Sequence, residues 1–167
     1  MNTVLRYPGS KWRIADQLVS NIPEHKSYLE PYFGSGAVLF NKPPSPIETI
    51  NDLDDDVINL FQCIRDHSQQ LAAMIAATPY SRKVYDSQFS IVSKDPVDKA
   101  CAFLIKCWHG YGFKTSGIKT GWKRDKTGRE RAYNLSNWYH LPEWIEEIAE
   151  RLRNIQIEHK PALDLIR

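Results

Sequence analysis

Apolar positions along the chain fall into short runs that end at acids, separated by stretches with helical spacing. Tyr28-Leu29 closes at Glu30, and Ile47-Glu48-Thr49-Ile50 closes at Asn51-Asp52. Both runs predict strands with a carboxylate at the C-terminal end. Between them, Pro31-Tyr32-Phe33-Gly34-Ser35-Gly36 is a tight turn, and Ala37-Val38-Leu39-Phe40 can open a helix. Lys42-Pro43-Pro44-Ser45-Pro46 stops that helix, because proline cannot continue one. Upstream, Ser10 is read as the cap of a helix to about Ser20, with Trp12, Ala15, Leu18 and Val19 inward.

The pattern then turns helical. Asp54-Asp55-Asp56 suit a helix N-terminus, followed by Val57, Leu60, Phe61, Ile64, Leu71 and Ile75 at helical spacing, with a break expected near His67-Ser68. Asp95-Pro96 predicts a second helix, to about His109. Pro142 is read as opening a third, from Glu143 to Arg153. Asn154 to Glu158 alternates like a strand, and Pro161 to Ile166 begins a last helix. Strands alternating with helices predict an α/β fold.

Composition bounds the rest. The 167 residues are 42% hydrophobic and 25% charged, enough for one core. The first residues lack the apolar stretch of a secretory signal, and no run approaches the length that spans a membrane. Cys63, Cys101 and Cys107 are too few and too irregular for a disulfide framework, so a reducing cytoplasm is the expected setting. Cys101, Cys107 and His109 lack paired zinc-site spacing and are read as core, which leaves no metal ligand expected.

Two stretches carry chemistry. Gly34 and Gly36 let bare backbone approach a ligand, and Asp52 follows Gly34 by 18 residues, near the distance at which a carboxylate meets ribose hydroxyls. A lone Gly-x-Gly is also an ordinary turn; the second acid-ended run strengthens the ligand interpretation. Leu39 stands where a dinucleotide site needs a third glycine, so the loop suits a nucleoside without pyrophosphate. S-adenosylmethionine (SAM) is such a cofactor. Tyr7 and Lys11 flank the Pro8-Gly9 turn and can offer a ring and a cation, although taken alone a helix start with a surface lysine is the preferred account. Residues 114–131 hold seven basic and two acidic residues, a local +5 against +2 for the whole chain. Cations interleaved with aromatics suit phosphate contacts and base stacking. A solvated loop is the alternative.

Arg6-Tyr7-Pro8-Gly9-Ser10-Lys11, Glu30 to Ala37, and Asn51-Asp52, in that order, resemble the Dam-type DNA adenine-N6 methyltransferases. The resemblance implies a Rossmann-like SAM-dependent methyltransferase sheet, incomplete in this chain, with an inserted, mainly helical target-recognition domain carrying a basic hairpin. Residues 1–56 would form the SAM-binding part, 57–140 the recognition domain, and 141–167 the return to the sheet. By the same resemblance Tyr7, Pro8, Gly9 and Lys11 would hold the methionine end of SAM. Glu30, Pro31, Phe33, Gly34, Ser35, Gly36 and Ala37 would lie beneath it, Asp52 at the ribose and Leu53 beside the adenine. Tyr111, Lys114, Lys119, Trp122, Lys123, Arg124, Lys126, Arg129 and Arg131 would face double-stranded DNA. The family's Asp-Pro-Pro-Tyr does not occur in the 167 residues, and no catalytic residue is assigned. Transfer of methyl from SAM to adenine N6 is thus expected of the family. The chain by itself is expected to be inactive, with a second polypeptide or a further segment completing the sheet. A DNA-binding remnant and an RNA methyltransferase are the competing interpretations.

Overall fold

The computed structural model describes residues 1–90, 92–112, 118–124 and 136–166. The two acid-ended runs form β1 (Ser27–Glu30) and β2 (Ile47–Asn51), and β3 (Gln156–Glu158) joins them. All pairs are parallel, in the order β1-β2-β3, with Glu30 opposite Ile50 and Asn51 opposite Glu158. The acids therefore gather at the C-terminal ends of the strands, where open parallel sheets place their ligands.

Helices cover this sheet. After the short α1 (Ala15–Ser20), α2 runs over Asp55–Ala76. Asp54 caps α2 by accepting from Asp56 N, and the expected break appears at His67, whose φ of −137° and ψ of 31° are not helical. α3 spans Arg82–Ser87 and α4 spans Pro96–His109, the latter capped by Asp95 through the N–H groups of Val97 and Asp98. α5 (Ser136–Leu152) and α4 both pack against α2, and α6 (Ala162–Ile166) follows β3. Leu39 and Ile50, Phe61 and Leu104, Ile145 and Leu152 are all buried in one hydrophobic cluster. The core thus runs through the boundaries expected at residues 56 and 140. Among the described residues, no helix is long and apolar enough to cross a membrane.

Three local expectations need correction, and one helix is additional to the pattern. Ser10 caps no helix: a 3₁₀ turn, Trp12–Ile14, precedes α1, and the Ser10 hydroxyl is engaged with Ser35 instead. Ala37 to Phe40 forms a series of turns rather than a regular helix, because only a few residues separate Gly36 from the prolines and Phe40 turns back against Phe33. α5 begins six residues before Pro142 and runs through it. The bond that Pro142 cannot donate is one turn from the helix start, and burial of Trp138 and Leu141 on the stripe of Ile145, Ile148 and Leu152 outweighs it. α3 has no counterpart in the sequence pattern; its Tyr85 is buried and donates to Thr120 O at 2.8 Å.

Candidate cofactor and nucleic-acid site

Glycine conformation builds the first part of the site. Gly34 (φ +52°) and Gly36 (φ +69°) are left-handed, a region that disfavours side chains. A Cβ on Gly36 would meet the Phe40 ring at 2.3 Å and the Phe33 ring at 2.6 Å, so the turn admits no other residue there without repacking. Phe33 N donates to Asn51 O at 2.9 Å, and Gly34 N to Asp52 Oδ2 at 2.7 Å, fastening the loop to the end of β2. Asp52 Oδ1 also accepts from Asp54 N at 3.0 Å. Each Asp52 oxygen retains a second lone pair for a ligand hydroxyl.

Glu30 lies beneath the loop. Its Oε2 accepts from Tyr28 Oη at 3.0 Å and from Leu39 N at 3.2 Å. Burial pushes its pKa up to about 7, against those two hydrogen bonds and the Lys42 charge, which pull it down. Such a carboxyl readily ionises when a cation arrives.

The N-terminal segment forms the opposite wall. Ser10 N closes a turn on Tyr7 O at 3.1 Å, with Gly9 at φ +76°. Tyr7 Oη donates to Asp54 Oδ2 at 2.9 Å, Ser10 and Ser35 hydroxyls lie 2.8 Å apart, and Lys11 Nζ donates to Gly9 O. Together these pieces enclose a cavity of about 450 Å³. Of the expected cofactor residues, Tyr7, Pro8, Gly9 and Lys11 line it from the N-terminal side. Glu30, Phe33, Gly34, Ser35, Ala37 and Asp52 line it from the sheet side. Pro31, Gly36 and Leu53 do not reach it. Ser10 and Tyr32, which lie inside the two motifs without an assigned contact, and Val38, just beyond the second motif, line it as well. Reading Ser10 as a helix cap conceals its place in the wall.

A second cavity, of about 480 Å³, shares Tyr7, Pro8 and Ser10 with the first. Its wall carries Arg6, Arg13 and Lys123 and the indoles Trp12, Trp108 and Trp144, with no acid among the described residues. The Arg6 guanidinium lies 3.9 Å from the Trp108 ring centroid, a cation–π contact. Trp12 Nε1 is buried with no hydrogen-bond acceptor among the described residues.

The basic stretch begins at this cavity. Gly110 and Trp122 form an antiparallel bridge, with Tyr111 N on Gly121 O at 2.7 Å and Lys123 N on His109 O at 2.8 Å. The chain therefore leaves α4 and returns beside it. Tyr111 and Arg124 are exposed. Lys119 pairs with Asp86 of α3 at 2.8 Å. Two residues expected to face DNA turn inward: Lys123 is 4% exposed, and Trp122 packs on Tyr80 beneath Arg82. Aromatic packing around His109 draws them in. His109 sits between the Tyr80 and Trp138 rings, where burial and then the Lys123 charge push its pKa down to about 4. Lys114, Lys126, Arg129 and Arg131 lie outside the described residues.

Residues 7–163 match the family of D12 class N6 adenine-specific DNA methyltransferases. The chain belongs to that family. It is 23% identical over 126 residues to a DNA N-6-adenine-methyltransferase of Escherichia phage P1, an alignment covering 65% of this chain and 15% of the phage protein. It is 25% identical over 114 residues to the DNA adenine methylase of Escherichia coli K12, covering 64% of this chain and 40% of that enzyme. The match to the DNA adenine methylase of E. coli O157:H7 has the same extent. The chain thus spans well under half the length of these curated relatives. The matched D12 segment starts at Tyr7 and takes in both walls of the first cavity, the glycine loop and β3.

Proposed function

We propose that the chain supplies the cofactor-binding and DNA-contacting part of a DNA methyltransferase that uses SAM and acts on adenine N6. The observation that carries this is the convergence of three distant segments, Tyr7–Lys11, Glu30–Ala37 and Asp52, on one cavity of about 450 Å³, a size suited to a nucleoside ligand. Its donor set fits SAM. Asp52 has acceptor capacity for ribose hydroxyls, Lys11 offers a cation to the methionine carboxylate, and the Glu30 carboxyl can balance a cationic ligand. Bound SAM would supply an electrophilic methyl group. The chain's own residues bind it, orient it and, through Tyr7 and Phe33, shield it from water.

DNA would approach the neighbouring cavity, where Arg6, Arg13 and three indoles suit phosphate and base. In a Rossmann-like arrangement the β1-β2-β3 order is one half of a methyltransferase sheet, and β1 offers the next strand a place to pair. A segment carrying Asp-Pro-Pro-Tyr there, in cis or on a second polypeptide, would hold the extruded adenine; without it, positioning of the amino group is lost. The buried free thiols of Cys63, Cys101 and Cys107 suit a reducing cytoplasm. A DNA-binding remnant without activity is the competing proposal.

Tritiated methyl incorporation tests these proposals. The chain alone should label neither duplex DNA nor RNA above background. Adding a polypeptide with the Asp-Pro-Pro-Tyr half should yield N6-methyladenine in DNA. Labelling by residues 1–167 alone would overturn the assignment of roles. Failure of every complementing half would favour the remnant, and labelling of RNA in preference to DNA would favour an RNA enzyme.

A further inference from the structure

Tyr7 is a wall of both cavities, and its hydroxyl is held from far along the chain. It donates to Asp54 Oδ2 at 2.9 Å across 47 residues. The other oxygen of the same carboxylate, Oδ1, accepts from Asp56 N at 3.0 Å and caps α2. One side chain therefore joins the start of a 22-residue helix to the partition between two cavities. The far end of that partition is fastened by the Ser10–Ser35 contact, 2.8 Å, which ties it to the glycine loop. Between the two fastenings stand Pro8, with a fixed φ, and Gly9 at +76°. The Tyr7 ring lies so close to the loop that a Cβ on Gly34 would approach it to 3.3 Å.

We infer that Asp54 is a positioning residue for the cofactor cavity: its carboxylate fixes Tyr7 as the shared wall before any ligand arrives. This rests on the proposal that the cavity takes SAM. Preorganisation of this kind matters because a wall that must be ordered on binding subtracts from affinity. Burial, followed by the hydrogen bond to Asp54, pushes the Tyr7 hydroxyl far above its ordinary range, so it remains a donor at any physiological pH. Asp54 thus links the helix that carries the core to the ring that closes the cavity, a role that its position in an acidic cap does not reveal.

The experiment uses the full 167-residue chain and calorimetric titration with SAM. Asp54→Ser retains a good helix cap but is too short to reach Tyr7. Tyr7→Phe removes the donor from the other side. Asp54→Asn retains the cap and presents an amide to the phenol oxygen. We expect Asp54→Ser and Tyr7→Phe each to weaken SAM binding by about tenfold, the double variant to be no weaker than either, and Asp54→Asn to stay within about threefold of wild type. Lower melting temperatures with unchanged SAM affinity would overturn the inference, since a purely structural role predicts that result. Additive effects in the double variant would overturn it too. A wild-type chain that binds no SAM would remove the cofactor proposal and this role together, whereas normal SAM binding by Asp54→Ser removes this role alone.

Discussion

Glu30 is the residue whose ionisation the fold changes most usefully. Burial raises its pKa from 4.5 to about 7, so the folded chain retains a proton that the unfolded chain has released. A group raised in this way favours folding below about pH 4.5 and loses that contribution as pH rises toward 7. Full expression of the shift corresponds to about 3 kcal/mol. We therefore expect Glu30→Gln to be more stable than wild type at about pH 7.5, by up to that amount, with the difference vanishing near pH 4.5. Urea unfolding across this range measures it, and parallel curves for the two proteins would show that burial of Glu30 carries no charge penalty. At the same scale the sequence is legible where a role is local. Asp54 and Asp95 are readable as caps because the groups they accept from are two or three residues away. Ser10 is not, because its partner is Ser35, 25 residues on.

Among elements, Glu48 joins β2 to α5. Its buried carboxylate accepts from Lys42 Nζ at 2.6 Å, Ser45 N at 3.0 Å and both terminal nitrogens of Arg151, one at 2.8 Å. Burial alone would raise its pKa, but the Arg151 and Lys42 hydrogen bonds dominate and bring it down to about 2. This group's contribution is present above about pH 4.5 and is lost as pH falls toward 2, opposite in sense to that of Glu30. Glu48→Gln leaves the buried Lys42 and the half-buried Arg151 without their counter-charge, and a loss of about 3 kcal/mol is expected by chemical unfolding at about pH 7. A loss below about 0.5 kcal/mol would place the pair among the weak surface bridges. Helix periodicity predicts α2 and α4 closely. It falls short for α5, where Pro142 reads as a start signal against the stripe of Trp138, Leu141, Ile145, Ile148 and Leu152, all buried on one side. Local propensity yields to that much apolar burial.

For the whole molecule, the distribution of charge separates the residues proposed to contact DNA. Arg124 is exposed, whereas Lys123 is buried at the edge of the second cavity. Arg124→Ala should therefore flatten the log–log salt dependence of DNA affinity by about 0.9, the slope carried by one neutralised phosphate, with folding unaffected. Lys123→Ala should instead lower the melting temperature, because its side chain is buried rather than solvated. Filter binding across a salt series and thermal unfolding separate the two, and equal behaviour of both variants would mean that the whole stretch is solvated.

The sequence by itself determined the α/β alternation, the two acid-ended strands, the capped helices, the glycine loop and the family. These depend on hydrophobic period, backbone freedom and short-range hydrogen bonds, all written in neighbouring residues. Only the tertiary structure decided that Tyr7 is held by Asp54, that Ser10 meets Ser35, that Lys123 and Trp122 turn inward, and that two cavities share one wall. Each of these pairs residues far apart in the chain, and such pairing is set by how the helices and sheet pack around a common core, which no local pattern encodes.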